Sequence, residues 1–329
     1  ESSNEEMAMP GMMPPAFGFV DGGPEGPRNK DGIYRNNGHG NAKIPIEGPL
    51  ASKGKGDEHA FAQDDIRQGR VDNCWFMAAL ASIAKSNPDY VQSLITELSP
   101  GVFEVKLFKS DPKNPEAPAE LRHVKVNNIF PVDKRTGLPV YADYGDDDLE
   151  IWVMVIEKAF ATLYGRTYQE AFPRGFTSMG YKSLLGDEGE FKYIDDERGS
   201  EKRANSQFER DSRRFDKQWP DASPRDREKF APKNEGELGR IREWEIIPFV
   251  IDLEKKGNAV TLSTGEIGRL EISDSWLIFG PHVYSIESID EAQQTMTLME
   301  PSGRYNLYDF PIKLVHKYMD AISYAKVPQ

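Results

Sequence analysis

The sequence predicts an α+β fold, with helices concentrated in the first half of the chain and strands in the second. Apolar residues recur at helical spacing in CWFMAALASIAKS, residues 74–86, and its alanines and serines allow close packing. In DLEIWVMVIEKAFATLYG, residues 148–165, acidic residues precede an apolar face and a glycine ends the run, which is typical of a helix. Short strand-like units follow residue 240, among them GNAVTLSTG at 257–265 and SWLIFGPHVYSIESID at 275–290.

Strand-like alternation also occurs in the first half of the chain. Apolar and polar residues alternate in GVFEVKLFKS, residues 101–110, and in LRHVKVNNIFPV, residues 121–132. A proline-rich stretch separates these two segments and is suited to a turn. We therefore expect the two segments to form a hairpin.

Composition divides the chain into four regions. Residues 1–60 are rich in Gly, Pro, Asn and Met without a sustained period, which favours a flexible leader. Residues 187–240 alternate charges and hold few branched apolar side chains, so we expect an exposed or partly disordered insertion. The insertion separates a helical unit, residues 61–186, from a β-rich unit, residues 241–329.

The charge balance excludes some classes of partner. The formal net charge is −13 over 329 residues. Sequence-independent attraction to nucleic acid or to an anionic membrane requires clustered Lys and Arg, so we expect neither partner. No apolar stretch approaches the roughly 18 to 20 residues that span a bilayer. We expect a soluble monomer, either cytoplasmic or delivered as part of a larger secreted effector.

The chain contains a single cysteine, Cys74, so it forms no internal disulfide and no cysteine-rich metal site. Cys74 lies in the first turn of the predicted helix 74–86. A helix N-terminus favours the ionised thiolate, because unpaired N–H groups form a positive pole there. A lone cysteine is also commonly a small buried hydrophobe. Its position alone therefore leaves both a nucleophile and a structural residue open.

A nucleophilic thiol needs a base, and His282 is the best placed of the five histidines. It follows Gly-Pro and opens HVYSIESID, so it begins a predicted strand beside a turn, where an imidazole can face a cleft. A histidine at a strand end is also commonly an ordinary surface residue. The other candidates are less suited: His59 lies in the leader, His123 in the hairpin and His316 in the final helix.

Four segments, in order, resemble the calpain family of cysteine proteases. QGRVDNCWFMAALASIA, residues 68–84, resembles the active-site segment usually written QGxxGDCWxLAAxAxL. GPHVYSIESID, residues 280–290, resembles the calpain GHAYSV segment, and TLMEPSG, residues 297–303, resembles LRNPWG. EIWVMVIEKAFATLYGRTYQEAF, residues 150–172, is similar to ELWSALLEKAYAKxxGSYEAL. The resemblance covers about residues 60–320, with the charged segment as an insertion.

The resemblance implies a papain-like α+β fold, in which a helical half carries the cysteine, a sheet half carries the histidine, and a cleft between them binds an extended peptide. Cys74 would be the nucleophile and His282 its general base and acid. Gln68 would lend its side-chain amide to an oxyanion hole beside the Cys74 backbone N–H, and its alternative is a solvent-exposed polar residue. The implied reaction is cleavage of proteins or peptides through a thioester, with self-processing as a further possibility.

Two departures from the calpain pattern concern the site itself. The chain has Asp72-Asn73 where calpains have Gly-Asp before the cysteine, and Glu300-Pro301-Ser302 where they have Asn-Pro-Trp. A carboxylate at Glu300 can accept the Nδ1–H hydrogen bond of His282 and stabilise an imidazolium more strongly than an amide would. We therefore expect a Cys-His-Glu triad.

Two points around that triad stay open at this stage. Asn306 is an alternative partner that would orient the histidine, and a site without such a partner is another. The tryptophan that shields this hydrogen bond from water in calpains is missing, and Trp276 or Tyr305 could cover the bond instead.

The chemistry itself requires no cofactor, but the resemblance implies calcium at up to two sites. Asp65 and Glu170 match acidic residues of the first site, and oxygen ligands suit calcium. A helix cap or a solvated charge is the alternative for both residues. The second site falls on a loop that this chain shortens to GRYNLYDF, so we do not expect a full calcium switch.

Two other functions remain compatible with this sequence. Some calpain-like domains lose catalytic residues and act as interaction modules, although the cysteine, histidine and glutamine all persist here. The chain could also be the protease domain of a larger secreted effector.

Overall fold

The computed structural model describes residues 41–53, 58–111, 117–144, 149–165, 167–172, 175–194 and 240–329. This part of the chain has a mixed α+β architecture, which confirms the predicted fold class in its coarse form. Most of the leader predicted over 1–60 and most of the insertion predicted over 187–240 lie outside the described residues. Among the residues that the structure describes, no helix has the length and apolar character needed to cross a membrane.

The regular elements follow one another in this order. The helices are α1 (Cys74–Ser86), α2 (Pro88–Leu94), α3 (Trp152–Tyr164), α4 (Tyr168–Ala171), α5 (Thr177–Leu185), α6 (Glu243–Lys255) and α7 (Ile312–Tyr318), with a 3₁₀ turn at Gln63–Asp65. The strands are β1 (Asn41–Pro45), β2 (Ile95–Ser99), β3 (Val102–Lys109), β4 (Glu120–Asn127), β5 (Ile129–Asp133), β6 (Glu190–Ile194), β7 (Arg240–Ile241), β8 (Asn258–Ser273), β9 (Trp276–Asp290), β10 (Thr295–Met299), β11 (Leu307–Pro311) and β12 (Met319–Lys326).

The strands of the described residues form three sheets. The largest has the order β11-β10-β9-β8-β12-β6-β7 and is antiparallel except for the β6–β7 pair. A three-stranded sheet, β2-β3-β4, contains the predicted hairpin, whose register pairs Val102 with Asn127 and Lys109 with Glu120. The smallest sheet pairs β1 with β5. The predicted hairpin is therefore confirmed, and the strand-rich second half forms one sheet.

Helix α1 lies at the centre of the first core. Every residue from Trp75 to Ala84 is buried, because small and large apolar side chains cover the whole helix surface. Its first turn packs on aromatic rings, with the Phe76 ring centroid 4.6 Å from that of Phe160 in α3. Helix α5 approaches closely through Gly180, where an added Cβ would lie 2.8 Å from Ala79 Cβ. The close packing expected from the alanines is therefore present.

The large sheet contacts α1 with one face and α6 and α7 with the other. Val283 of β9 belongs to the buried cluster around α1, whereas its neighbour Tyr284 belongs to the cluster formed with α6 and α7. This alternation is the two-residue period of a strand whose two faces are both covered. Lys85 Nζ at the end of α1 lies 2.5 Å from Glu254 Oε1 of α6 and adds a polar link. The sheet thus places β9 directly against the cysteine-bearing helix.

The structure differs from the sequence-based expectation at the edges of two regions. Asn41–Pro45 falls within the predicted leader but pairs with Ile129–Asp133. Strand β6 falls within the predicted insertion and β7 begins at its last residue, but the two strands pair with each other and β6 also joins β12. Both differences concern partners far away in the chain, which a local composition pattern does not reveal. The helix predicted from residue 148 likewise begins only at Trp152.

Candidate active site

Cys74 is the first residue of α1, and its side chain is partly exposed while the residues that follow are buried. Asn73 precedes it, and the carbonyl of Asn73 accepts the backbone N–H groups of Phe76 and Met77 at 2.9 and 3.0 Å. The Cys74 side chain is hydrogen-bonded to the imidazole of His282. The two residues that the sequence analysis selects as a pair are thus neighbours, although they lie far apart in the chain.

Strand β9 carries His282 at an irregular point of its pairing with β8. The register pairs Thr264 with His282 and then skips to Gly268 opposite Gly280. The hydroxyl of Thr264 accepts the His282 backbone N–H at 3.0 Å and donates to the Phe279 carbonyl at 2.6 Å. The Thr264 hydroxyl therefore fixes the backbone turn from which the imidazole projects.

Glu300, which follows β10, is the partner of the histidine ring. Its Oε1 lies 2.7 Å from Nε2 of His282, and the two side chains are only 5% and 15% exposed. From the sequence we predicted this bond at Nδ1, and that detail is wrong. Because Nε2 contacts the carboxylate, Nδ1 is the ring nitrogen left for the sulfur of Cys74.

Ser302 and Asn306 hold Glu300 in place. Ser302 donates both its backbone N–H, at 3.1 Å, and its hydroxyl to the second carboxylate oxygen, Oε2 of Glu300. Asn306 Oδ1 accepts the Glu300 backbone N–H at 2.9 Å. Among the alternatives for the partner of His282, Glu300 therefore contacts the ring and Asn306 supports Glu300. The EPS sequence carried a signal for Ser302, because a hydroxyl two positions after a carboxylate can reach it.

The protonation of the pair follows from its contacts. Burial alone would lower the pKa of His282, but hydrogen bonds to Cys74 and Glu300 outweigh burial and raise that pKa to about 9. Burial would raise the pKa of Glu300, but the hydrogen bonds from His282 and Ser302 lower it below its ordinary value. At neutral pH the geometry thus favours an imidazolium beside a carboxylate.

Aromatic side chains surround the histidine where calpains have a tryptophan. Phe279 and Tyr284 meet its ring edge-on, with centroids 6.0 and 5.2 Å away. Tyr305 packs on Phe279 at 5.1 Å and so covers the site indirectly. Trp276 instead packs on a ring of β11 and donates to a carbonyl there. Tyr305 rather than Trp276 is thus the candidate that the structure brings near, and Phe279 and Tyr284 are contacts that the sequence analysis missed.

Gln68 lies beside the loop that carries Glu300. Its backbone N–H donates to the Pro301 carbonyl at 2.7 Å, and its side-chain Nε2 donates to the Val71 carbonyl at 2.7 Å. The residue is half-buried. A carboxamide carries two N–H groups, so the bond to Val71 fixes the amide and leaves one donor for a ligand.

Asp65 and Glu170, the residues matched to a calcium site, have separate surroundings. Buried Asp65 contacts the Trp152 indole N–H, at 3.1 Å, and Glu150, and burial together with Glu150 raises its pKa. Glu170 caps α4 through the Thr167 backbone N–H at 3.0 Å. The two carboxyl groups thus have separate protein partners, and calcium at this site stays a prediction. Within the residues that the structure describes, no cluster of three or more acidic, histidine or cysteine side chains suits a metal ion.

A cysteine at a helix N-terminus, bonded to a histidine–carboxylate pair on an adjacent sheet, is the arrangement of thiol-dependent hydrolases. Comparison with known proteins agrees with this class. Residues 57–214 match the family model described as calpain family cysteine protease. The resemblance stated from the motifs is thereby confirmed: residues 57–214 are similar to calpain family cysteine proteases. The matched region includes Cys74 and Gln68, whereas His282 and Glu300 lie beyond it.

The curated relatives that match this chain are also calpains, at low sequence identity. The chain is 26% identical to calpain-8 of Rattus norvegicus over 183 residues, which is 54% of this chain and 23% of the relative. It is 29% identical to calpain-13 of Rattus norvegicus over 106 residues, 31% of this chain and 14% of the relative. Calpain-8 of Homo sapiens matches over 184 residues at 26% identity, again 54% of this chain and 23% of the relative. The chain thus spans a quarter or less of the length of these relatives.

Proposed function

We propose that this chain is a cysteine endopeptidase with a papain-like arrangement, in which Cys74 and His282 face each other from α1 and β9 across a substrate cleft. The hydrogen-bonded chain from Cys74 through His282 to Glu300 carries the proposal. One chain supplies every group, so the proposed enzyme acts as a monomer. Its substrates are proteins or peptides that enter the cleft in extended form.

The proposed reaction is acyl transfer through a thioester. The Cys74 thiolate attacks the carbonyl carbon of a peptide bond, and the S–C bond forms as the C–N bond breaks. The His282 imidazolium gives its Nδ1 proton to the leaving amine. The neutral imidazole then takes a proton from water, whose oxygen attacks the thioester, and the C–S bond breaks to release the carboxylic acid and to restore the Cys74 thiolate beside the His282 imidazolium. Enzyme and sulfur end as they began.

The oxyanion formed in both steps needs donors that are already in place. We assign this role to the Cys74 backbone N–H and to the side-chain amide of Gln68. The bond from Nε2 to Val71 fixes the orientation of that amide. The bond from the Gln68 backbone to Pro301 ties the donor to the loop of Glu300, so the two halves of the proposed site are connected directly.

The carboxylate at Glu300 distinguishes this site from one with an amide. An ionised partner stabilises the imidazolium, and Ser302 supports the ionised form by donating two hydrogen bonds to its second oxygen. We propose that the chemistry requires no cofactor. Because Asp65 and Glu170 contact separate protein partners, no step is assigned to calcium.

Hydrolysis of an unfolded protein by wild type and by Cys74→Ala tests the proposal. Wild type should produce fragments that increase with time, and Cys74→Ala should lose at least about a thousandfold of the rate, as expected for removal of a nucleophile. Lys256→Met, an exposed substitution that follows α6, serves as a control that should retain the wild-type rate. Failure of folded wild type to cleave any peptide bond would instead favour an interaction module.

We also propose that the enzyme processes itself, with cleavage in the compositionally biased segments 1–60 and 187–240 but outside the strands Asn41–Pro45, Glu190–Ile194 and Arg240–Ile241. The observation behind this is their content of Gly, Pro and charged residues, a composition typical of segments that proteases cleave. Purified wild type should shorten during long incubation while Cys74→Ala stays intact. Persistence of both segments in active enzyme would contradict self-processing.

A further inference from the structure

A fully buried carboxylate connects the segments that carry the donors of the proposed oxyanion hole. Glu157 of α3 is 1% exposed. Its Oε1 accepts the side-chain amide Nδ2–H of Asn73 at 2.8 Å, and its Oε2 accepts the backbone N–H of Ala142 at 2.9 Å. One side chain therefore connects the residue before Cys74 with the segment around Ala142.

The Ala142 segment is in turn paired with the segment that carries Gln68. Arg70 donates its backbone N–H to Val140 at 3.0 Å, and Asp143 donates to Arg67 at 2.9 Å. These two bonds flank Gln68 on one segment and Ala142 on the other. Glu157 is thus linked to both segments that carry the proposed oxyanion donors, to one through Asn73 and to the other through Ala142.

Burying an ionisable group at this position carries an energetic cost. Burial raises the pKa of Glu157 to about 7, although the bonds from Ala142 and Asn73 counteract that rise. Asn73 is itself 0% exposed, and no donor from the described residues reaches its Oδ1. An arrangement that leaves a buried acceptor without a partner is expensive for stability. Stability alone therefore gives a weak reason for this pair.

We propose that Glu157 is a positioning residue, which sets the spacing between the Cys74 backbone N–H and the Gln68 amide through its bonds to Asn73 and Ala142. This inference rests on the proposed peptidase function and adds a group that touches no substrate. It also assigns a contact to Asn73, at the position where calpains have Asp: its amide donates to Glu157.

Exchanging the two functional groups tests this pairing. Asn73→Asp removes the amide that donates to Glu157 and should disrupt the spacing. The double variant Asn73→Asp/Glu157→Gln restores one carboxylate and one amide, since the new amide at position 157 can donate to the new carboxylate at position 73 and accept from Ala142. Glu157→Gln alone should be mild, because the Asn73 amide can rotate and present its oxygen. Asn87→Asp is the matched control, since Asn87 precedes α2 as Asn73 precedes α1.

The measurement must distinguish a changed spacing of the two oxyanion donors from a smaller amount of folded protein. Alkylation by iodoacetamide forms an S–C bond as iodide leaves and develops no oxyanion, and the chain has one cysteine to react. We therefore measure kcat and KM for a peptide amide with unmodified enzyme. We divide kcat by the amount of reactive Cys74, which is determined by iodoacetamide alkylation of a parallel sample. Asn73→Asp should lower this normalised kcat roughly 10- to 100-fold with KM changed less than about twofold. The double variant should recover about tenfold over Asn73→Asp, and Asn87→Asp should match wild type.

Several outcomes would overturn the inference. A normalised kcat at the wild-type level in Asn73→Asp would do so, as would a double variant that regains thermal stability without kcat. If Asn73→Asp does not fold, a folded double variant that lacks activity contradicts the inference, and one within about tenfold of wild type supports it. If wild type shows no hydrolysis that depends on Cys74, the proposed function and this inference are both wrong. If wild type is active but the double variant recovers no kcat over Asn73→Asp, only the inference is wrong.

Discussion

His282 and Glu300 meet through a single defined contact, Nε2 to Oε1 at 2.7 Å, in surroundings that leave only 15% and 5% of their side chains exposed. Ser302 occupies the other carboxylate oxygen, so the carboxylate cannot rotate away without losing two bonds. The departure from Asn-Pro-Trp to Glu-Pro-Ser therefore acts as a unit. Glu300 replaces the asparagine of calpains and therefore has a second side-chain oxygen. Ser302 donates two hydrogen bonds to that oxygen.

Glu300→Gln should narrow the pH range of activity from its basic side. Glu300 helps to raise the pKa of His282 to about 9, and the proposed acid is lost as pH rises through that value. Removing a neighbouring charge should shift the basic limb of kcat/KM downward by roughly 1 to 3 pH units. Glu104→Gln, which removes the carboxylate beside the exposed His123, is the control and should leave the profile unchanged. A basic limb unmoved in Glu300→Gln would separate Glu300 from the proton chemistry.

Thr264→Val should impair activity more than Thr264→Ser. Valine keeps the shape but leaves the His282 N–H and the Phe279 carbonyl without their partner, at roughly 1 to 3 kcal/mol per buried group. The measurement is kcat/KM together with thermal unfolding. Thr261→Val on the same strand controls for a general effect on β8. Equal activity of Thr264→Val and Thr264→Ser would show that the hydroxyl does not hold the histidine turn.

Removal of divalent cations should leave the rate unchanged. Asp65 contacts Trp152 and Glu150, and Glu170 caps α4, so each carboxyl group already has a protein partner. Hydrolysis is measured after dialysis against a calcium chelator and again with calcium restored. Glu170→Gln should likewise match wild type. A large loss of rate on chelation that calcium reverses would contradict this prediction.

Lys158→Met should destabilise the domain without changing the chemistry. Its buried ammonium lies 2.6 Å from both Asn127 Oδ1 and the Ile129 carbonyl, so methionine removes this donor from both acceptors and leaves Asn127 Oδ1 only the Ile129 N–H at 3.2 Å. We expect a loss of about 2 to 4 kcal/mol in the free energy of unfolding by urea. Lys256→Met, whose ion pair with Asp252 is exposed, should cost less than about 1 kcal/mol. Equal stability of the two variants would contradict the assigned role of Lys158.

The local pattern of apolar and polar residues was sufficient to predict individual helices and the hairpin. The spacing of apolar residues in α1 and the alternation in β3 and β4 both correspond to the structure, because each period reflects a face buried along its whole length. Motif order was sufficient to select Cys74, His282 and Glu300 as neighbours. The choice of ring nitrogen needed coordinates, since either nitrogen can bond a carboxylate.

Contacts between distant segments were beyond the sequence analysis. Thr264 lies 18 positions before His282 and looks like any strand threonine, and Glu157 looks like a charge on an amphipathic helix. Only the bulge between β8 and β9 and the burial of α3 give these residues their partners. The pairing of Asn41–Pro45 with Ile129–Asp133 is a third example, because neither segment carries a signal for the other.

The most direct test of the central claim is intact-mass analysis of wild type quenched in acid during turnover of an activated peptide ester. The account predicts an adduct whose mass equals the acyl group, mapped to the peptide that contains Cys74, and absent from Cys74→Ala. Turnover without any adduct on Cys74, persisting in Cys74→Ala, would contradict it.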